Sequence, residues 1–273
     1  MLLTDVGSEL FDDQAATFDQ RAGLPVEYCR AIASAVVEIG QLAPGDLILE
    51  VGPGTGQIGQ WFSAPIRYVG IDKSAGMLMQ YQRLLGGDAS NQVLVLTDAN
   101  RGWPLASGAA RVIFSSRAIH HLDQEHVASE VFRVAAPDGA TLIIGRIHRD
   151  PESVRARMSR EMNNGLRRHG YEGRRGEQQN RNLFESCHRR GGQILETVTV
   201  VTWKVLASPR QSLDSWRCHK GLGGVEVPAE TKERILAELE GWAQEVFGGL
   251  DEQVESEETY TLRPLRLSPT RVG

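Results

Sequence analysis

Three carboxylates and three glycines are spaced as a ligand cradle would require. Glu50 lies in the apolar run Leu47-Ile48-Leu49-Glu50-Val51, and Gly52-Pro53-Gly54-Thr55-Gly56 follows at once. A turn between a buried strand and a helix brings its backbone against whatever binds there. Side chains would collide at such a point, and glycine also permits positive φ. The helix beyond presents free N–H groups to the crevice at the carboxyl ends of the strands. Asp72, with Lys73 beside it, closes a second apolar run about 20 residues beyond the loop, where a carboxylate can accept both hydroxyls of a ribose. Asp98, in Thr97-Asp98-Ala99, ends a third run and is placed to accept an adenine amino group. Each acid alone has an ordinary reading as a strand-end or helix-capping carboxylate. Three at consecutive strand ends are harder to explain that way.

A second group of candidates follows the fourth apolar run, in Ser115-Ser116-Arg117-Ala118-Ile119-His120-His121-Leu122. Adjacent histidines on an extended segment diverge, so no metal site is expected from His120 and His121. One imidazole there can act as general base or orient an acceptor. Asp123 reads as the N-cap of the next helix, with His126 on that helix's surface. Between Arg149 and Arg190 stand eleven arginines against six acids, in a chain whose formal net charge is -5. Most of these arginines suit a solvated helix face. The alternative is that a few, with Arg146 and His148 after the fifth run, bind a carboxylate or phosphate through paired donors.

The elements that must position these residues alternate. A helix from about 24 to 40 precedes strands 47–51, 68–71, 93–96, 112–114 and 141–144. Helices are expected at 57–62, 74–85 and 123–136. This order makes a mostly parallel sheet with helices on both faces. Asp150-Pro151-Glu152 reads as the start of a polar helix reaching about residue 170. A helix near 182–190, a β-rich run at 196–203, helices opening at Ser208-Pro209 and Pro228, and a strand near 259–262 complete the chain. The domain reading is a single domain over 1–273. Its core covers about 24–148 plus sheet-completing segments 192–206 and 257–267, with helical additions at about 1–23, 150–190 and 209–247.

The composition is that of a globular chain, 41% hydrophobic and 24% charged. The acidic balance disfavours a nucleic-acid partner, no apolar run is long enough for a membrane span, and no secretory signal opens the chain. Three separated cysteines (Cys29, Cys187 and Cys218) suit reduced thiols in a cytoplasm. A homo-oligomer is compatible with all of this.

Gly54-Thr55-Gly56-Gln57-Ile58-Gly59 satisfies the dinucleotide pattern Gly-x-Gly-x-x-Gly, so an NAD-dependent oxidoreductase is one reading. A helix ahead of the first strand and Glu50 before the loop tilt against it. An acid there repels a pyrophosphate but attracts the ammonium and sulfonium of S-adenosylmethionine. Residues from about Phe18 to Ile147 resemble class I S-adenosylmethionine-dependent methyltransferases, in particular the small-molecule branch with trans-aconitate-like and ubiquinone-biosynthesis-like enzymes. Glu50 to Gly56 is similar to that family's first motif, Gly70-Ile71-Asp72 to its second-strand acid, and Ser115 to Leu122 to its fourth-strand motif. The resemblance implies a Rossmann-like, seven-stranded, mostly parallel sheet with helical additions over the active-site edge. It implies S-adenosylmethionine as cofactor, S-adenosylhomocysteine as product and a small-molecule acceptor. Cofactor contacts would come from Glu50, Gly52, Gly54, Gly56, Asp72, Lys73, Met77, Asp98, Ala99 and Ser115. Phe18-Asp19-Gln20-Arg21 is similar to the segment that closes over the cofactor. Phe18, Arg21, Arg117, Arg146 and His148 are the candidate acceptor contacts, although Arg117 departs from the small or apolar residue expected there. An RNA methyltransferase and a non-catalytic binding protein are the remaining alternatives.

Overall fold

The computed structural model describes residues 23–86, 91–119, 122–172, 176–218 and 221–267. Within them the chain falls into two compact units. One comprises residues up to Arg146 together with Gly176–Val201 and the chain from Tyr260; the other comprises Ile147–Arg175 and Thr202–Thr259. The expected helical addition at 150–190 is thus divided between the two.

In the first unit, α1 (Val26–Gly40) precedes β1 (Leu47–Val51). All five β1 residues are buried, as the unbroken apolar run requires of a strand covered on both faces. α1 does not end on a left-handed glycine: Gln41 takes that conformation, with φ 51°. Gly40 is needed for a different reason, since a Cβ there would overlap the Val112 side chain. The helix expected at 57–62 is only a 3-10 turn, Gly59–Trp61. β2 (Arg67–Asp72), α2 (Ala75–Leu85), β3 (Gln92–Leu96), β4 (Val112–Ser116) and α3 (Gln124–Val134) follow. Asp123 caps α3 as expected, accepting the His126 N–H at 2.8 Å.

β5 (Ala140–Arg149) leads to α4 (Val154–Arg168), α5 (Gly176–Arg189), β6 (Gln193–Ile194), β7 (Val198–Ala207), α6 (Pro209–Arg217), α7 (Ala229–Phe247) and β8 (Val254–Leu267). The sheet order is β3-β2-β1-β4-β5-β8-β6, with β7 also paired to β8. β1 to β5 run parallel, and β6 is antiparallel to β8. Eight strands replace the expected seven because the segment expected at 192–206 is broken. Gln193 and Ile194 pair with Arg266 and Leu265. The next rung would join Leu195 to Pro264. Leu195 donates to the Pro264 carbonyl at 3.0 Å, but proline has no N–H to return the bond.

The first unit's core packs Leu49, Val51, Ile71, Ile113, Leu142 and Ile144 from the sheet against α3 and α5. The second unit has its own core. Val154, Met158, Met162 and Leu166 of α4 line one helical face and meet Ile235, Leu236, Leu239 and Ala243 of α7. α4 starts later than the sequence suggests. Asp150 opens a turn, its carbonyl accepting the Ser153 amide at 3.0 Å, and Ser153 is the N-cap. α6 begins as expected, Ser208 and Gln211 forming a reciprocal capping box.

Candidate functional site

The loop after β1 is shaped by three left-handed glycines, with φ of 73° at Gly52, 57° at Gly54 and 84° at Gly56. Two are confined: a Cβ on Gly52 would overlap the Ala118 methyl, and one on Gly56 the Tyr81 ring. Gly54 differs, because among the described residues a Cβ there would meet nothing within 4 Å. Among the described residues the loop therefore leaves bare backbone uncovered at Gly54. Asp72, at the end of β2, binds that backbone directly. Its Oδ2 accepts the Gly54 N–H at 3.0 Å and its Oδ1 the Ser74 N–H at 3.0 Å. Burial pushes the Asp72 carboxyl up, while the Ser74, Gly54 and Lys73 amides hold it down. A carboxylate has about four lone-pair sites, so acceptor capacity remains beyond these backbone bonds. Lys73 is half-buried, and Met77 is buried on α2, whose N-cap is Ser74.

Glu50 lies deeper than the sequence implied. Only 2% of its surface is exposed, and its Oε2 accepts the Tyr68 hydroxyl at 2.7 Å. Burial pushes its carboxyl up to about 7; Tyr68 opposes the shift and Asp72 adds to it. The expected direct attraction of a ligand cation becomes a field exerted by a buried group. Tyr68 and Tyr81 were not among the sequence candidates. Their hydroxyls lie where a Cβ on Gly59 would go, close to Glu50, and burial raises both phenols. The signal available was weak: two tyrosines facing a strand-borne acid can be matched only once β2 and α2 are placed.

Other expected contacts are engaged with the protein itself. The Asp98 side chain, half-buried, accepts the Asn100 N–H at 2.9 Å in a local turn. Ala99 is buried, and its carbonyl accepts the Trp103 indole N–H at 3.0 Å. Ser115 is fully buried and donates to the Val51 carbonyl at 2.8 Å, so it fastens β4 to β1 instead of lining the crevice surface. Arg117 adopts a left-handed φ of 62°. Phe18, Arg21, His120 and His121 lie outside the described residues. Arg146 is half-buried in the first unit, and His148 is exposed in the second.

The arginine-rich span is largely committed to acids. Arg149 and Arg155 share the buried Glu258 at 2.8 and 3.1 Å. Arg168 pairs with Glu161 and Glu238, and Arg189 and Arg190 pair with Glu125. Among the described residues no cluster of acids, histidines and cysteines could hold a metal ion, and no helix is long and apolar enough to cross a membrane. Cys29 and Cys187 are buried free thiols, and Cys218 is exposed.

Residues 48–139, which span the glycine loop and β1 to β4, match the family model of a methyltransferase domain. The fold of the chain is similar to that of a candidate methyltransferase from Bacillus halodurans, at 17% identity and a TM-score of 0.57 over 86% of this chain and 98% of that one. It is also similar to YcgJ of Bacillus subtilis, at 18% identity and a TM-score of 0.53 over 86% and 97%. The [4+2]-cyclase SpnF is a third, at 16% identity and 0.58 over 96% and 94%. At these identities the likeness concerns the fold. No curated protein matches the chain. The sequence reading of a methyltransferase with a Rossmann-like sheet agrees with the matched domain and the fold.

Proposed function

We propose that this methyltransferase belongs to the small-molecule branch and acts on a small acceptor bearing an anionic group. The observation that carries the cofactor half of the reading is the cradle of Gly52, Gly54 and Gly56 between two acids, with its open side at Gly54. Bound S-adenosylmethionine supplies a methyl group already activated on a sulfonium. Asp72, at the end of β2 beside Gly54, retains acceptor capacity beyond its backbone bonds and is suited to hold a ribose hydroxyl. Glu50, ionised above about pH 7, favours a cation nearby. Orientation of the acceptor can supply up to roughly 7–11 kcal/mol of acceleration. A base is required only where the acceptor carries a proton to be removed. His120 or His121, which follow β4 in sequence, are the groups assigned that task.

The anionic character is inferred from the first unit. Arg263 of β8 lies over the Phe184 ring at 4.1 Å, and burial followed by the like charge of Arg146 lowers its hold on its proton. A carboxylate or phosphate would relieve two guanidinium groups on neighbouring strands. Calorimetry with S-adenosylmethionine, S-adenosylhomocysteine and NAD tests the cofactor half: the first two are expected to bind and NAD is not. Preferential binding of NAD would overturn it.

A further inference from the structure

We propose that Tyr260 is a positioning residue whose hydroxyl, through Ser116, sets Arg117–Ile119 against Gly52 on the acceptor side of the transfer; the inference rests on the function proposed above. Tyr260 belongs to β8 and Ser116 is the last residue of β4. Their hydroxyl oxygens are 2.7 Å apart, and Tyr260 is fully buried. The ring occupies the space left by Gly145 of β5, where a Cβ would overlap the phenol oxygen. A phenylalanine would fill the same apolar volume. A buried hydroxyl costs desolvation unless its hydrogen bond returns that cost, so the hydroxyl pair needs an explanation beyond packing.

The turn immediately after Ser116 supplies that explanation. Arg117 enters the left-handed region, which side-chain-bearing residues rarely adopt unless their surroundings hold them there. That turn delivers the Ala118 methyl to the place a Cβ on Gly52 would occupy, and it buries Ile119. The end of β4 is fastened on both faces. Ser115 holds it to the Val51 carbonyl on one side, and Ser116 holds it to Tyr260 on the other. Cofactor loop and post-β4 segment thus touch at Gly52 and Ala118, and the Tyr260–Ser116 pair fixes the residue just before the turn. Burial keeps the phenol protonated, which fits a group that holds geometry and not one that accepts a proton from substrate.

The test uses the full chain with Tyr260→Phe, Ser116→Ala, the double variant and the conservative Ser116→Thr. S-adenosylhomocysteine affinity is read by calorimetry, and hydrogen exchange is followed at the amides of Arg117–Ile119 with and without that ligand. Each single deletion is expected to weaken binding about fivefold and to speed exchange at those amides about tenfold. The double variant should be no worse than either single, because both delete one interaction. Ser116→Thr should restore both readouts. A lower melting temperature with unchanged affinity and exchange would overturn the proposal, as would losses that simply multiply in the double variant. If the unaltered protein binds no S-adenosylhomocysteine, the cofactor reading fails. The exchange comparison without ligand still decides whether the hydroxyl pair holds the turn, so the two failures are distinguishable.

Discussion

Glu50→Gln should remove a pH dependence from this protein. Glu50 is buried, accepts the Tyr68 hydroxyl and feels the like charge of Asp72. Its carboxyl rises from 4.5 to about 7, a penalty on the charged form of about 3 kcal/mol at about 1.4 kcal/mol per pH unit. The folded state therefore holds a proton that the unfolded chain releases at lower pH. The associated stability is fully present below about pH 4.5 and is lost as pH rises through about 7. For a chain of this size, about 3 kcal/mol corresponds to a melting shift of roughly 6–12 °C. The glutamine carbonyl can keep the Tyr68 bond without a charge to bury. Relative to the parent, Glu50→Gln should gain thermal stability from pH 5 to about pH 7 and level off by pH 8. Its affinity for S-adenosylmethionine should change in the opposite sense, falling below the parent's at pH 8, where the parent's carboxylate favours the cofactor's cations. Differential scanning calorimetry across that pH range, with titration calorimetry at both ends, measures both effects. Melting curves of parent and variant that run parallel with pH would refute the reasoning.

Asp72→Asn should lose about 1.5–3 kcal/mol of S-adenosylhomocysteine affinity by titration calorimetry, the scale of hydrogen bonds to a charged acceptor. Glu130→Ala should lower stability by about 1–3 kcal/mol in urea unfolding, because buried Glu130 accepts the Trp103 amide at 2.6 Å and grips Arg133. Arginine pairing holds that carboxyl below its usual range, so the contribution should be present above the ordinary carboxylate range and vanish as pH falls through the lowered value. Arg146→Gln should raise the acceptor's KM with little effect on cofactor affinity, and an unchanged KM would exclude the anionic acceptor at that edge. His120→Asn or His121→Asn should cut kcat about 10²–10⁴-fold where the acceptor must lose a proton, and full turnover in both across pH 6–9 would remove the histidines from the reaction.

What the sequence determined by itself was local. The run Leu47–Val51 could only be a strand covered on both faces, and the glycines after it could only be a bare turn. Both properties depend on residues adjacent in the chain. Asp123 and Ser208 were legible as caps for the same reason, since a cap reaches only two or three residues ahead. Asp72 was found by its distance from the loop, but not the fact that it clasps the Gly54 amide. Tertiary structure decided the partners that no spacing announces. Tyr260 meets Ser116 across 144 residues of chain, and Glu258 collects Arg149 and Arg155 from more than a hundred residues away. Pro264 stops the β6 ladder only because Leu195 is brought opposite it. Glu50 carried its charge in the sequence but not its depth. Whether an acid faces water or lies against two tyrosine hydroxyls is settled by which helix and strand close over it, and that burial converts a cation-attracting carboxylate into one that titrates near neutrality.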